Sequence, residues 1–383
     1  MVLRRRAWLC HEGWYYVAVL AFIVGGAVLR SVNLLVVLAG LMLAPLLLNW
    51  RLVMAALRGI DVRRKRPEQI CAGEPLTIEL TVSNQRRWLD SWLIVVEDTL
   101  RAEQPGRNER PLVARSVVGH LPARSTVTAT YRLTLPRRGV YRLGPLRVST
   151  RFPLGLVRGL VDLPDEAEVV VSPRLGELSP RWSQLLEAEL AGDERRNPQS
   201  GIDEGDYYSL RPFQSGDSRR WIHWRTTAKL NVPTVRQFER QQSFNAALVI
   251  DPWLPERPSD DDRGRLEFAL SFAASAIAEL CGRGQSQLTI GVATAIPQIW
   301  AGPTSTAFCR EVFDQLARLE GLSGGDVSAT LQETGREIAA GARLLVISPR
   351  KMADVQLAGT TFGGDSLLWI DVHDPALVEW FTL

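Results

Sequence analysis

The sequence is poor in the residues that build metal and redox sites. It has four cysteines and four histidines among 383 residues. The cysteines are Cys10, Cys71, Cys281 and Cys309. Their spacing contains no CxxC pair, so it indicates neither a disulfide framework nor a zinc site, and it is typical of a reducing compartment. The histidines His11, His120 and His373 are isolated in the sequence. We therefore expect no metal centre built from these residues.

The sequence also lacks a strong charge of either sign. The net charge is only +3, which argues against a protein that coats nucleic acid. The glycine-rich segment GLSGGD at 321–326 has no following Lys-Ser/Thr, so it predicts a loop and no phosphate-binding P-loop. We expect no nucleic-acid partner and no cofactor.

In contrast, the sequence contains two long uncharged, apolar runs near the N-terminus. They extend from Trp14 to Leu29 and from Leu34 to Trp50, with RSVN between them. As helices they would be roughly 25 Å long, slightly short of a hydrocarbon core of about 30 Å. Tryptophans at their ends, which favour the membrane interface, can extend both spans. The pattern predicts a transmembrane helical hairpin, because a second span directly after the first disfavours a cleaved signal peptide.

Positive charge around the hairpin predicts its orientation. Nine Lys/Arg residues flank the two runs, and Arg30 alone lies in the turn. The flanking residues are Arg4, Arg5, Arg6, Arg51, Arg58, Arg63, Arg64, Lys65 and Arg66. Since positive residues stay in the cytoplasm, both termini are predicted to face it, with two spans in the inner (cytoplasmic) membrane. We expect the basic run at 62–66 to lie against anionic lipid headgroups.

A β-domain is predicted after the hairpin. PLTIELTVSN and STVTATYRLTLP alternate apolar and polar residues with period two. Further β-rich runs are separated by Pro/Gly-rich turns, which favours an antiparallel β-sandwich. Residues 174–200 predict a connector with a short helix at 180–191. From about residue 244, buried apolar strands alternate with apolar helices, which is typical of a mostly parallel, doubly wound sheet.

One segment, GDYYSLRPFQSGDSRRWIHWRTTAK at 205–229, combines aromatic, acidic and basic residues. With the hairpin, the β-domain and the strand ending in Asp251, it resembles the bacterial domain-of-unknown-function family 58 along nearly the whole chain. The residues that match the family signature are Leu210, Arg211, Phe213, Gly216, Asp217, Arg219, Arg220, Ile222, Trp224, Ala228 and Lys229. The resemblance implies a von Willebrand factor A-like α/β domain and a partner of the MoxR-type AAA+ ATPases.

The same resemblance raises the question of a metal site at Asp251. Domains of the von Willebrand A type often bind magnesium through an Asp-x-Ser-x-Ser loop, whose carboxylate and hydroxyls suit a hard cation. Here Trp253 and Pro255 occupy the two serine positions. We therefore expect a degenerate site that holds no metal. The acidic residues at 260–262 are predicted to begin a helix, where they favour its dipole.

Within the signature, Asp217 is predicted to cap a helix that follows it. That helix would place Trp221, Trp224 and Ala228 on one stripe. Arg220, four residues before Trp224, would cover its ring.

Taken together, the sequence predicts four parts. These are a transmembrane hairpin anchor at 1–58, an immunoglobulin-like β-sandwich at 59–174, a connector carrying the signature at 175–243, and a von Willebrand A-like domain at 244–383. We expect a non-enzymatic adaptor that works with the ATPase in assembly or chaperone-like maturation of client complexes.

Two alternatives remain open. One is an enzyme that uses His223 with nearby carboxylates as acid–base partners. Those carboxylates are Asp203, Glu204, Asp206 and Asp217. The other is a module that binds a ligand through a metal. Under each of these functions, the signature residues could also have a purely structural role within the chain.

Overall fold

The computed structural model describes most of the chain. The described residues are 5–30, 32–65, 69–104, 110–185, 207–214, 219–238, 245–283, 287–338, 343–355 and 367–383. They divide into two compact units. The first comprises Met1–Arg174 with Asp314–Arg318, and the second comprises Leu175–Phe313 with Leu319–Leu383.

Two apolar helices, α1 (His11–Arg30) and α2 (Asn33–Ala56), lie near the N-terminus. At about 1.5 Å per residue they are about 30 and 36 Å long, which suffices to cross a hydrocarbon core. Both are long and apolar enough to span a membrane, as predicted. The Tyr16 hydroxyl of α1 donates a hydrogen bond to the Met42 carbonyl of α2 at 2.8 Å. Most of their other side chains are exposed, which leaves an apolar surface for lipid.

The rest of the first unit is β-structure. Its strands are β1 (Arg5–Leu9), β2 (Ile60–Arg64), β3 (Ile70–Cys71), β4 (Pro75–Asn84), β5 (Ser91–Ala102), β6 (Leu112–Leu121), β7 (Thr126–Thr134), β8 (Gly139–Leu143), β9 (Leu146–Thr150), β10 (Val157–Leu163) and β11 (Ala167–Ser172). One sheet has the order β1-β10-β9-β5-β8-β11-β3, with β6 paired to β5, and a second has the order β2-β4-β7. All pairs are antiparallel except the short β3–β11 pair.

The period-two pattern predicts the buried faces of these strands correctly. In β4, Leu76, Ile78, Leu80 and Val82 are all buried. They belong to one hydrophobic cluster that also includes residues of β5, β8, β9 and β11 from the larger sheet. Burial of alternating side chains from both sheets in one core removes apolar surface from water and holds the sheets together.

The segment before α1 belongs to the sheet. Arg5–Leu9 pairs with Val157–Val161 of β10 in an antiparallel register. On the same strand, Gly159 lies against α2, because a Cβ at that position would meet the side chains of Val53 and Leu57. The hairpin therefore starts from one strand of the β-structure and packs on its neighbour.

Within the basic run at 62–66, Arg64 is not free for lipid headgroups, which corrects the prediction for that residue, whereas Arg63 and Lys65 are exposed. The Arg64 side chain is 1% exposed and forms a bidentate pair with Asp98, at 3.0 Å and 2.9 Å. The neighbouring cations also have partners, since Arg63 pairs with Asp61 and Lys65 with Glu79. Alternation along β2 turns Arg64 into the core, where a buried charge needs a counter-charge. Arg66 lies outside the described residues.

The second unit contains a five-stranded sheet and several helices. Its strands are β12 (Glu177–Leu178), β13 (Tyr207–Pro212), β14 (Thr234–Phe238), β15 (Asn245–Ile250), β16 (Gln287–Val292), β17 (Gln298–Pro303), β18 (Arg343–Ser348), β19 (Leu367–Asp371) and β20 (Phe381–Thr382). Its helices are α3 (180–185), α4 (Trp224–Leu230), α5 (Asp260–Arg283), α6 (Thr306–Arg318), α7 (Val327–Glu337) and α8 (Pro375–Trp380). The sheet has the order β17-β16-β15-β18-β19, parallel except for the edge strand β17.

The helices predicted for this part are present as α5 and α6. The predicted apolar positions of α5, from Leu266 to Leu280, are buried. Of the helix predicted at 180–191, residues 180–185 are helical, and the remainder lies outside the described residues. Trp182 of this helix is 1% exposed and packs edge-to-face on Phe272 of α5, with ring centroids 5.0 Å apart. The β12–β20 pair connects the same region to the C-terminal strand.

Candidate functional site

The strand order of the five-stranded sheet creates a crevice at one edge. The chain passes from β15 to β16 on one side, and later returns to β18 on the other side of β15. In open α/β sheets, ligands bind outside the carboxyl ends of the strands at such a switch point. A pocket of about 340 Å³ lies there. Its lining residues are Trp253, Leu254, Pro255, Asp262, Arg265, Pro349, Arg350, Lys351, Asp354 and His373.

A buried ion pair lies beside this pocket, because Arg350, which lines it, pairs with Asp251. Asp251, directly after β15, is 1% exposed. The Arg350 Nε donates to its Oδ2 at 2.8 Å, and Nη2 approaches Oδ1 at 3.4 Å. The Ser348 hydroxyl at the end of β18 donates to the same Oδ2 at 2.7 Å. The guanidinium also lies over the Trp253 ring, 5.2 Å from its centroid. Residues from the ends of two adjacent strands are thus fixed in one arrangement.

This arrangement decides what Asp251 can do chemically. A guanidinium carries a permanent positive charge and matches the carboxylate fork, so it satisfies the carboxylate without a metal. Trp253 and Pro255, at the predicted serine positions, line the pocket and have no oxygen side chain to offer a cation. Among the described residues, no three His, Cys, Asp or Glu side chains are grouped to hold a metal ion. The four cysteines, all of which the structure describes, form no disulfide bond.

The acidic residues at 260–262 form the first turn of α5, as expected. The Ser259 hydroxyl and main-chain N–H donate to the Asp262 carboxylate at 2.6 Å and 2.9 Å. The Asp262 N–H donates back to the Ser259 hydroxyl at 3.1 Å, which completes a capping box. These hydrogen bonds from Ser259 hold the pKa of Asp262 below its usual value. The Asp262 carboxylate therefore stabilises the first turn of α5.

The signature residues form a small structure of their own. Leu210 and Arg211 lie on β13 and pair with residues of β14. The Phe213 N–H donates to the Pro233 carbonyl, and the His223 N–H donates to the Thr234 carbonyl, both at 2.8 Å. Ile222 bridges to Val235. Gly216 and Asp217 lie outside the described residues, as do the carboxylates Asp203, Glu204 and Asp206.

His223 begins helix α4, which corrects the predicted helix start. Arg219–Trp221 is a separate 3₁₀ turn, and α4 starts at Trp224. The His223 Nδ1 accepts from the Thr226 N–H at 3.2 Å and contacts the Thr226 hydroxyl at 2.8 Å. Because Ile222 and His223 interrupt the helix, Trp221 and Trp224 are not on one helical stripe. The four-residue helical spacing assumed for Arg220 over Trp224 is likewise absent.

The exposed side of α4 is rich in cations and apolar residues. Trp224 is 69% exposed and Leu230 is 58% exposed. We call the following residues the α4 surface: Arg219, Arg220, Trp224, Arg225, Ala228, Lys229, Leu230 and Val232, all of which are exposed. The sequence from 219 to 233 contains four of these cations and no Asp or Glu. Such a surface is chemically suited to an acidic partner with an apolar patch.

Sequence reasoning did not identify several of these residues. Arg350 is the main omission, because it lies 99 residues after Asp251 and only the parallel pairing of β15 with β18 brings them together. A local signal existed, since Ser348 and Arg350 directly follow an apolar strand. Leu230 and Val232 were also missed, because two apolar residues at and just after the end of a helix of seven residues give no periodic pattern.

Comparison with known proteins identifies one family. Residues 209–356 match the model of the family described as "Protein of unknown function DUF58". No curated protein matches the chain.

Solved structures give partial matches. A β-glucosidase from Listeria innocua is 19% identical over 30% of this chain, with a TM-score of 0.22. This chain covers 16% of the length of that enzyme. A CARDB domain from Pyrococcus furiosus is 16% identical over 29% of this chain and 86% of its own length, with a TM-score of 0.20. Scores this low establish no shared fold. The matched residues include all the signature residues from Leu210 to Lys229 and the Asp251–Arg350 pair, so the chain is similar to the DUF58 family over residues 209–356.

Proposed function

We propose that the protein is a membrane-anchored adaptor that faces the cytoplasm, binds another protein and catalyses no reaction itself. The observation that carries this proposal is the α4 surface. Tryptophan and arginine are the side chains that most often dominate protein interfaces, and here they are exposed together. An indole left 69% exposed on a short helix has most of its apolar area available for a partner.

The partner we propose is a MoxR-type AAA+ ATPase, on the strength of the family resemblance. The chemistry of the α4 surface adds one requirement to that proposal. The partner we expect presents an acidic surface with an apolar recess for Trp224, because residues 219–233 carry four exposed cations and no Asp or Glu. The client complex would then be remodelled by the ATPase, with the adaptor holding it at the membrane.

The domain types fit the same role. We infer that the five-stranded sheet and its helices form a von Willebrand factor A-like domain. The strand order β16-β15-β18-β19 with an antiparallel edge strand supports this inference. We also infer an immunoglobulin-like sandwich in the first unit, supported by its two antiparallel sheets and shared core. Both are scaffolds that commonly present binding surfaces.

The Asp251–Arg350 pair favours binding over catalysis in the pocket. Both carboxylate oxygens of Asp251 already accept charged or hydroxyl donors. A general base needs a free lone pair within reach of its proton, and a metal site needs free oxygen ligands. In His223 the Nδ1 is engaged in the α4 cap, so an acid–base role would have to use Nε2.

The test is affinity capture of the full-length chain from membranes with nucleotide present. Trp224→Ala and Arg225→Ala are each expected to reduce the captured ATPase about tenfold, the loss typical of a hot-spot residue. Ile296→Ala is the matched control, since Ile296 is also in the second unit, is 80% exposed and lies outside the α4 surface. This control should leave capture unchanged.

Two results would count against the adaptor. One is unchanged ATPase capture by both α4-surface variants. The other is a turnover activity of the purified chain that His223→Ala abolishes while capture persists. A His223→Asn variant helps to interpret the second result, because asparagine is a good helix cap and preserves α4 while removing the imidazole.

A further inference from the structure

We propose that one end of the first unit inserts apolar side chains into the lipid interface around the two apolar helices. We call these residues the collar: Trp88, Leu89, Trp92, Leu93, Phe152 and Leu154. The proposal rests on the proposed membrane anchoring of α1 and α2. It adds that the β-structure itself contacts lipid, so that the first unit lies directly on the membrane surface.

The collar residues lie in the loops at 85–90 and 151–156, which we call the collar loops, and at the start of β5. The strand registers place these parts at the end of the first unit where the hairpin joins the sheets. Leu9, the last residue before α1, pairs with Val157 at the start of β10. Ile60, the first strand residue after α2, pairs with Asn84 at the end of β4. The loop at 85–90 follows Asn84 directly, and the loop at 151–156 directly precedes Val157. Both collar loops therefore emerge beside the ends of the apolar helices.

Hydrogen bonds connect these loops to the helices. The Arg86 guanidinium donates to the Ala55 carbonyl at 3.0 Å, and the Ser91 hydroxyl donates to the Ala56 carbonyl at 3.3 Å. These carbonyls lie in the last turn of α2, and the Ala55 carbonyl also accepts from the Arg58 N–H at 3.1 Å. On the other loop, the Leu156 carbonyl accepts from the Cys10 N–H just before α1, at 2.9 Å. The loops are thus held at the level where both helices begin or end.

The collar side chains are large, apolar and exposed. Trp88 is 88% exposed, and Leu89 and Leu93 are each 53% exposed. On the second loop, Phe152 is 37% and Leu154 is 51% exposed. Contiguous apolar groups of this size mark interaction surfaces, and tryptophan is the side chain that most favours the membrane–water boundary. Their position beside two lipid-exposed helices identifies lipid as the occupant.

Charges at this end suit an anionic membrane surface. The exposed arginines are Arg58, Arg87, Arg124 and Arg151. The acidic residues of the same connections are Glu12 and Asp90. Asp90 is already engaged, because it accepts from the His120 ring at 2.8 Å and from the Ala123 N–H at 2.9 Å. The remaining cations can pair with lipid phosphates while the apolar side chains enter the interface.

The experiment measures lipid contact directly in the full-length chain. An environment-sensitive fluorescent amino acid is placed at one of four positions, and each protein is reconstituted into vesicles containing anionic phospholipid. Positions 88 and 154 report on the collar. Position 113 is the matched control, because Val113 is 53% exposed on β6 but pairs with Thr99, near the end of β5 away from the hairpin. Position 41, in α2, reports on insertion of the hairpin.

Each label is then quenched either by nitroxide-bearing lipids or by aqueous iodide. We expect lipid quenching at 41, 88 and 154, and iodide quenching about threefold weaker at 88 and 154 than at 113. If position 41 is in lipid but 88 or 154 behaves like 113, the collar is wrong and the anchor stands. Iodide access at position 41 would overturn the anchor and the collar together.

Discussion

Two buried carboxylates, Asp98 in the first unit and Asp251 in the second, are each paired with an arginine. Asp98 is 0% exposed and accepts a bidentate pair from Arg64. Asp251 accepts from Arg350 and from the Ser348 hydroxyl. Desolvation makes such pairs costly to bury, and the cost is offset only while both partners are present. Removing one partner is therefore more damaging than removing both.

The Asp251–Arg350 ion pair can be tested by removing first one partner and then both. Arg350→Met should destabilise the second unit by about 3–5 kcal/mol, because it leaves the Asp251 charge buried without a counter-charge. The double variant Asp251→Asn, Arg350→Met should recover most of that loss. Thermal unfolding of the detergent-solubilised chain measures both variants. Equal losses in the single and double variants would contradict the assigned ion pair.

A second prediction concerns pH and Asp98. Burial raises the pKa of the Asp98 carboxyl above its ordinary value, although the hydrogen bond from Tyr131 and the charge of Arg64 act in the opposite direction. Because the pKa is higher in the folded chain than in the unfolded chain, the Asp98 contribution to stability is full below the unfolded value of about 3.9. That contribution decreases as pH rises through the folded pKa. Tyr131→Phe removes a hydrogen bond to the ionised form and raises the pKa of Asp98 further.

Tyr131→Phe should therefore cost about 1–3 kcal/mol at pH 8 and less at pH 5, where more of the Asp98 carboxyl is protonated. The measurement is the shift in thermal midpoint at the two pH values. Tyr141→Phe is the matched control, because the Tyr141 hydroxyl donates to the Arg137 main-chain carbonyl at 3.0 Å. The loss of stability caused by Tyr141→Phe should be the same at both pH values. A Tyr131→Phe cost that grows on acidification would reverse the sign of the proposed linkage.

At the scale of elements, the sequence predicts best where apolar residues are periodic. The strands β4 and β7 and the helices α5 and α6 follow from period two or from helical spacing, because most buried positions there are apolar or aromatic, such as Leu80 in β4 and Tyr131 in β7. Helix α7 was not predicted. Its buried positions are Val327, Thr330, Leu331 and Thr334, so two threonines hide the apolar stripe. Both threonines are buried, but their hydroxyls make the sequence pattern look polar.

Polar secondary-structure elements and residue pairs that are distant in the sequence could not be predicted, for a different reason. Strand β1 consists of RRAWL, whose arginines suggest a cytoplasmic flank, and only its pairing with β10 shows it to be part of the sheet. At α4, a glycine-aspartate pair looked like a helix start, yet His223 provides the cap. The Asp251–Arg350 pair depends on sheet topology. In each case the partner lies far away in the sequence or uses an uncommon residue type.

At the scale of the whole molecule, the two apolar helices form an insertion between two strands of the first unit. β1 precedes α1 and β2 follows α2, and both strands belong to the first unit. Under the proposed membrane anchoring, both ends of the hairpin lie on one side of the membrane, because a folded β-structure with open edges cannot lie in the hydrocarbon core. In that arrangement the two helices cross the membrane and return, which puts Val32 on the side opposite the β-structure.

The last prediction follows from this topology and from the positive charge of the flanks. A reporter that is active only in the cytoplasm, fused after Leu383, should be active, whereas a reporter active only outside the cytoplasm should be inactive there. Inserted after Val32, the two reporters should show the opposite activities. Because the proposed topology puts the two fusion points on opposite sides of the membrane, each serves as the control for the other. Activity of the external reporter at Leu383 together with the cytoplasmic reporter at Val32 would invert the molecule and remove access to any cytoplasmic ATPase.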